Sequence, residues 1–353
     1  MLRLTAMLAV TSARVLEIRE SHDSTTTLLR HDVDDAAANE FVKSTEGGGG
    51  GAPSEPKEAL RSVNNVTYNE TLAKEFVLLS SIAYCPVDQI SNWSATATPF
   101  PGENVTVFDD EKTDTVAYLV RLTPSSSSDA SKIVLAFQGT DSLTDWFYNL
   151  QIGKTTAYPH CDGCRVEDGF YKKWSAVVDA ITAAVRSLML SYPSTPLYIT
   201  GHSLGGSLAV LAAAHLEYNV SLPVTGVYTF GEPRVGNAAF RSFYNQGVHV
   251  SWRVTHHKDP VPHLPMEVLG YRHISTEVWY PDRDYSPGAN YTLCDGSGED
   301  DSCSNSVAWK PNLMYASDHH TYIGLPIDAP KCCNREAEGV APAPPSLLPG
   351  TRL

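Results

Sequence analysis

The chain has 353 residues, with 26 Lys or Arg against 40 Asp or Glu, giving a formal charge of −14. At 42% hydrophobic and 19% charged residues it can bury a sizeable core, so global disorder is excluded. No basic excess exists to displace counterions from a phosphate backbone, which excludes a nucleic-acid binder and leaves neutral or lipid substrates open. No apolar run approaches the roughly 18–20 residues of a spanning helix, so a soluble chain without a membrane span is expected.

In chain order, Met1-Leu2-Arg3, the apolar stretch Leu4–Val10 and Thr11-Ser12-Ala13 have the layout of a minimal signal peptide, with an ordinary frayed terminus as the alternative. Residues 14–60 are polar and acidic, then run through Gly47–Gly51 into Ala52-Pro53-Ser54-Glu55-Pro56. That is the composition of a pro-segment and a flexible linker. One domain is expected over 61–334, followed by a Pro-rich tail over 335–353. Lys132–Phe137 predicts a buried strand. Trp174, Val177, Val178, Ile181, Val185 and Leu188 predict a helix over Lys172–Leu190, stopped by Pro193. Pro196–Thr200 predicts a strand and Leu204–Leu216 a helix. Val224–Phe230, Trp252–Thr255 and Glu277–Tyr280 predict further strands. This alternation predicts an α/β fold: a mostly parallel sheet covered on both faces, with the site at the carboxyl ends of the strands.

Six N-glycosylation sequons, at Asn65, Asn69, Asn92, Asn104, Asn219 and Asn290, fit a secreted, extracellular glycoprotein. Seven cysteines are present. Cys161-Asp162-Gly163-Cys164 could be a redox motif or half a zinc site. No second CxxC or paired His at ligand spacing accompanies it, which favours structural disulfides in an oxidising compartment.

Gly201-His202-Ser203-Leu204-Gly205 fits G-x-S-x-G, directly after a predicted strand and opening a predicted helix. Both glycines are needed there, because the strand turns sharply and a Cβ on either would crowd the neighbouring strand or the helix. Ser203 is therefore the candidate nucleophile. The N–H of Leu204, at the helix start, is the candidate oxyanion donor. A serine nucleophile needs a histidine base and an orienting acid, in the chain order Ser, acid, His. The order favours the late pair His319 and His320.

Ile199–Gly206 and Phe230-Gly231-Glu232-Pro233-Arg234-Val235-Gly236-Asn237 together resemble the fungal-type, class 3 lipases of the α/β-hydrolase superfamily, from about Leu72 to Gly324. The resemblance implies an α/β-hydrolase fold and a serine esterase that needs no cofactor and no metal. In Asp318-His319-His320-Thr321-Tyr322, the family's Tyr three residues after the base selects His319, with His320 the alternative. Arg253–Pro262 is similar to the segment that carries the acid, which selects Asp259; a solvated loop aspartate is the alternative. His256, His257, His263 and His273 surround it, and a metal site there is disfavoured. Phe137-Gln138-Gly139-Thr140 resembles the strand end that supplies the second oxyanion donor, Thr140, although Gln138 stands where the family often has Arg. Leu143, Trp146, Phe147 and Leu150 fall at helical spacing; the resemblance implies a lid, against a core helix as the alternative. Disulfides Cys161–Cys164, Cys294–Cys303 and Cys85 to Cys332 or Cys333 are implied in the same way. The expected protein is a monomeric, secreted acylglycerol lipase with transient contact to a lipid surface. The rivals are a carboxylesterase or feruloyl esterase on soluble esters and a catalytically silent binding protein.

Overall fold

The structure, a computed structural model, describes residues 67–94, 100–124, 130–140, 142–143, 152–286, 289–307 and 313–327. The leader, linker and tail expectations lie outside these residues, as do Cys332, Trp146, Phe147 and Leu150.

Helix α1 (Glu70–Ile82) opens with Asn69, whose Oδ1 accepts from the Leu72 N–H at 3.0 Å and so supplies a partner to one of the helix's unpaired first-turn donors. A short helix α2 (Val87–Ser91) follows, then strands β1 (Gly102–Asp110), β2 (Thr115–Leu122) and β3 (Lys132–Phe137). A small hairpin, β4 (Lys154–Thr155) and β5 (Val166–Glu167), leads into α3 (Asp168–Ser191). Next come β6 (Leu197–His202), α4 (Leu204–Tyr218), β7 (Gly226–Phe230), α5 (Ala238–Gly247) and β8 (Ser251–His256). The chain continues through β9 (Glu277–Tyr280), β10 (Thr292–Leu293), a kinked 3₁₀ segment over Leu313–His320, and the hairpin β11 (Thr321–Tyr322) with β12 (Leu325–Pro326).

Eight strands form the sheet in the order β1-β2-β3-β6-β7-β8-β9-β10. From β3 to β9 every pairing is parallel, and both ends close with antiparallel pairs. The core shows why β3 reads as an unbroken apolar run. Ile133, Leu135 and Phe137 face the cluster built on α3, α4 and α5, whereas Val134 and Ala136 face the cluster built on α1. Helix α3 buries Phe170, Trp174, Val177, Ile181, Val185 and Leu188, each contributing roughly 1.5–3 kcal/mol if fully buried.

Two sequence expectations change. Among the described residues α3 is, by length and composition, long and apolar enough to cross a membrane, so the absence of any such run is corrected. The reason is visible in the helix: alanines on its outer turns add to the buried apolar stripe that packs on the sheet. The hairpin β1–β2 falls outside the expected strands. On β1 only Phe108 is buried, so that strand carries almost no alternating apolar signal.

Disulfides link Cys161 to Cys164 and Cys294 to Cys303. Cys85 is also disulfide-bonded.

Candidate active site

Strands β3, β6, β7 and β8 are parallel neighbours, so their carboxyl ends lie side by side. Ser203 follows β6 immediately. Its backbone has φ 56° and ψ −129°, a conformation that L side chains rarely adopt and that surrounding structure must enforce. The enforcement comes from glycines. A Cβ on Gly201 would lie 2.8 Å from the amide nitrogen of Gly206, and one on Gly205 would lie 2.8 Å from the carbonyl carbon of Gln138. The Ser203 N–H donates to the Phe230 carbonyl at 2.8 Å, fastening the turn to β7. Leu204 is the first residue of α4, so its N–H belongs to the helix end whose donors lack intrahelical partners.

Thr140 lies half-buried just past β3. The preceding Gly139 presses against β6, where a Cβ would sit 2.7 Å from the His202 carbonyl oxygen. Of the residues expected to form a lid, Leu143 is described and is buried.

Asp259 follows β8 and is buried, not a solvated loop aspartate. One carboxylate oxygen accepts from the Val261 N–H at 2.9 Å. The other accepts from His319 Nδ1 at 2.8 Å and from the Tyr322 hydroxyl. Burial alone would raise the Asp259 pKa. The charge and hydrogen bond of His319, with the Tyr322 and Val261 donors, outweigh that and hold it below the usual range. Burial and the Asp259 charge push the Tyr322 hydroxyl well above its ordinary value, so it remains a neutral donor. With Nδ1 engaged, His319 keeps Nε2 for a reaction. Ser203 Oγ and His319 Nε2 are both buried with no hydrogen-bond partner among the described residues. His320, the alternative base, is half-buried and is not the residue bonded to Asp259.

Two positioning groups were not singled out by the sequence. The His202 ring lies 4.4 Å from the His319 ring, centre to centre. Its Nε2 is 2.9 Å from the His319 carbonyl oxygen, and its Nδ1 is 2.7 Å from the Tyr84 hydroxyl. A carbonyl accepts only, so Nε2 donates and Nδ1 accepts. Burial, then the neighbouring His319, holds His202 well below its ordinary pKa and therefore neutral. Tyr322, the second group, was legible only as a spacing marker.

The four histidines near Asp259 are dispersed onto separate partners. His273 Nε2 bonds the Pro262 carbonyl at 2.6 Å, and His257 Nδ1 meets Asp318 at 2.7 Å. Burial, then Arg234, lowers His263 to about 4, and His273 is lowered by burial and by Arg253 and Arg234. Two arginines facing these rings make a poor setting for a metal cation. Among the described residues the grouping close enough for a metal is Cys294, Asp300 and Cys303, whose cysteines are already in a disulfide.

A mostly parallel sheet with helices on both faces and a strained serine between a strand and a helix is the α/β-hydrolase fold. Residues 134–269 match the lipase (class 3) family. The chain is 40% identical over 172 residues to the secreted mono- and diacylglycerol lipase 1 of Fusarium solani, covering 47% of this chain and 50% of that one. It is 33% identical over 196 residues to the lipase of Rhizomucor miehei, covering 55% and 52%. Among solved structures, the propeptide complex of the Rhizomucor miehei lipase superposes with a TM-score of 0.63 at 28% identity, covering 73% of this chain and 81% of that one. A triacylglycerol lipase described as having a serine-protease triad at its catalytic centre gives a TM-score of 0.63 at 27% identity, covering 73% and 95%. Over the matched stretch the chain is similar to class 3 lipases of fungi. It spans about half the length of the curated relatives it matches.

Proposed function

We propose that the protein is a secreted serine hydrolase that cleaves carboxylic esters of acylglycerols through an acyl-enzyme. The observation that carries this reading is the pair of buried, unpartnered reacting atoms, Ser203 Oγ and His319 Nε2, with His319 held through Nδ1 by Asp259. In the first half-reaction Ser203 Oγ attacks the ester carbonyl and its proton passes to His319 Nε2. Asp259 fixes the tautomer and stabilises the imidazolium. The N–H groups of Leu204 and Thr140 receive the oxyanion, each donor contributing about 3 kcal/mol. His319 then returns the proton to the departing glycerol oxygen, and water repeats the sequence to free the fatty acid. No cofactor takes part in these steps.

The named relatives support the substrate class, since they are mono-, di- and triacylglycerol lipases. The secreted relatives and the disulfides support an extracellular site of action. The Rhizomucor miehei lipase solved with its propeptide supports reading the residues ahead of the 61–334 domain as a leader and pro-segment. Leu143, Trp146 and Phe147 are proposed as a lid that meets the lipid surface, and the protein acts as a monomer.

Rates on tributyrin, triolein, a diacylglycerol and methyl ferulate test the substrate class. The acylglycerols should be turned over fastest. Preference for methyl ferulate would replace this reading by a soluble-ester hydrolase. Failure of a fluorophosphonate to label Ser203 would leave a silent scaffold.

A further inference from the structure

His256 ends β8 and stands next to the candidate catalytic residues on two sides. Its carbonyl accepts from the Asp259 N–H at 3.0 Å. Its ring Nδ1 lies 2.9 Å from the carbonyl oxygen of Asp318, the residue immediately before His319. Its Nε2 lies 3.0 Å from the carbonyl oxygen of Arg283. Both ring nitrogens therefore face backbone carbonyls, which accept and never donate. A neutral imidazole has one N–H and can serve one of them. Its second nitrogen would point a lone pair at an oxygen lone pair. Only the imidazolium donates to both.

We propose that His256 is a positioning residue for the base: in its doubly protonated form it staples the segment carrying His319 to the end of β8 and to the loop at Arg283. The proposal rests on the triad reading. The same carbonyl row is clamped elsewhere by groups whose bonding does not depend on pH. His202 holds the His319 carbonyl and the Ile327 N–H holds the His320 carbonyl. His256 adds the third bond, at Asp318, and is the member of the set that needs a second proton.

The groups around the ring are accounted for as follows. On its own strand end lie His257, ring to ring at 6.3 Å, then Lys258 and the bonded Asp259. From the base segment, the Asp318 carboxylate is engaged by His257 at 2.7 Å and by Arg283 Nε at 3.3 Å. From β9 and the following loop, Tyr280, Asp282, Asp284 and Tyr285 line the adjoining cavities, and Tyr322 comes from β11 at 5.9 Å. One of these cavities, of about 380 Å³, is an open cleft through which solvent protons reach the ring.

The test has two readouts. In the ¹⁵N-histidine spectrum of Ser203→Ala protein, His256 should show two ring N–H signals at the pH of the activity assay. In active protein, His256→Gln, whose one amide nitrogen cannot reach both carbonyls, should lower kcat on a soluble ester by up to about tenfold with KM unchanged, the ceiling set by one hydrogen bond from a charged donor. A single ring N–H signal at a pH where the enzyme is active overturns the proposal, as does an unchanged kcat in His256→Gln. If that variant fails to fold, the ring signals still decide. An active His319→Ala would instead sink the triad reading, and it would be recognised separately because the ring signals do not depend on turnover.

Discussion

The candidate nucleophile turn and the candidate acid–base corner are built on different plans. Ser203 is shaped by its immediate neighbours, with Gly201 against Gly206 and a helix that starts at Leu204, and two more distant backbone contacts, β3 on Gly205 and the Phe230 carbonyl on the Ser203 N–H, complete the turn. His319 is held by partners far along the chain, with Asp259 60 residues away and His202 117 away. Local geometry makes the first region rigid and readable, because a backbone at φ 56° needs small neighbours. The second region is rigid only once the sheet exists, since β6 and β8 must be in register before His202, His256 and Asp259 can reach it. Damage to the turn should therefore be structural and all-or-none, and damage to the corner graded.

The largest effect expected is on the chemistry the two regions share. Ser203→Ala should lower kcat by about 10⁴- to 10⁶-fold with an unchanged melting temperature. His319→Ala should come close to it. An active His319→Ala beside a dead His320→Ala would move the base by one residue.

Next is Gly205→Ala, which forces a methyl group into the Gln138 backbone. It should destabilise the domain by about 3 kcal/mol or more, read by denaturant unfolding. A fully stable variant would show that the turn is softer than its contacts imply.

Glu232, just past β7, sharpens the contrast through pH. Its side chain is buried, with one oxygen accepting from Thr229 at 2.6 Å and the other without a partner among the described residues. Burial, against the opposing pull of Arg253, raises its carboxyl to about 7 from about 4.5. The folded state therefore binds this proton more tightly than the unfolded chain. The associated stability is complete below about 4.5 and is lost as pH rises through about 7. Glu232→Gln should be more stable than the parent at pH 8, by up to about 3 kcal/mol, and equal to it at pH 4. Melting curves at both values check the sign, and a variant destabilised at pH 8 would contradict it.

The smallest effect belongs to Tyr322→Phe. It removes one of the donors to Asp259 and leaves the His319 bond in place. About 1 kcal/mol of positioning should be lost, so kcat should fall several-fold with KM unchanged. A loss as large as that of His319→Ala would mean that the corner, too, is all-or-none.

The same contrast explains what the sequence reveals. Strands β3 and β9 read directly because nearly all their residues are buried, on both faces, and the G-x-S-x-G turn reads because its constraints are local. Among the histidines, chain order and a Tyr at the right spacing narrow the candidate base to His319, but burial and the Nδ1–Asp259 bond exist only in three dimensions. His202 is hidden inside the nucleophile motif as a variable position, and nothing in the sequence announces that its ring reaches residue 319. His256 stands in a run of polar residues where a solvated loop is the ordinary expectation. Strand β1 is unreadable for the opposite reason: it has little to bury.

That strand sets how copies of the protein behave when crowded. β1 is nine residues long and among the described residues pairs with β2 alone, whereas the opposite edge, β10, is two residues. An extended edge of that length offers about 30 Å of backbone donors and acceptors to another chain. Three features interrupt it. The register slips between Glu103 and Thr106, Asn104 takes a left-handed φ of 54°, and Asp109 and Asp110 close the strand with like charges. Fibril nucleation in concentrated stocks would have to straighten this bulge and bring the like charges of neighbouring copies together, so crowding alone does not present a continuous edge.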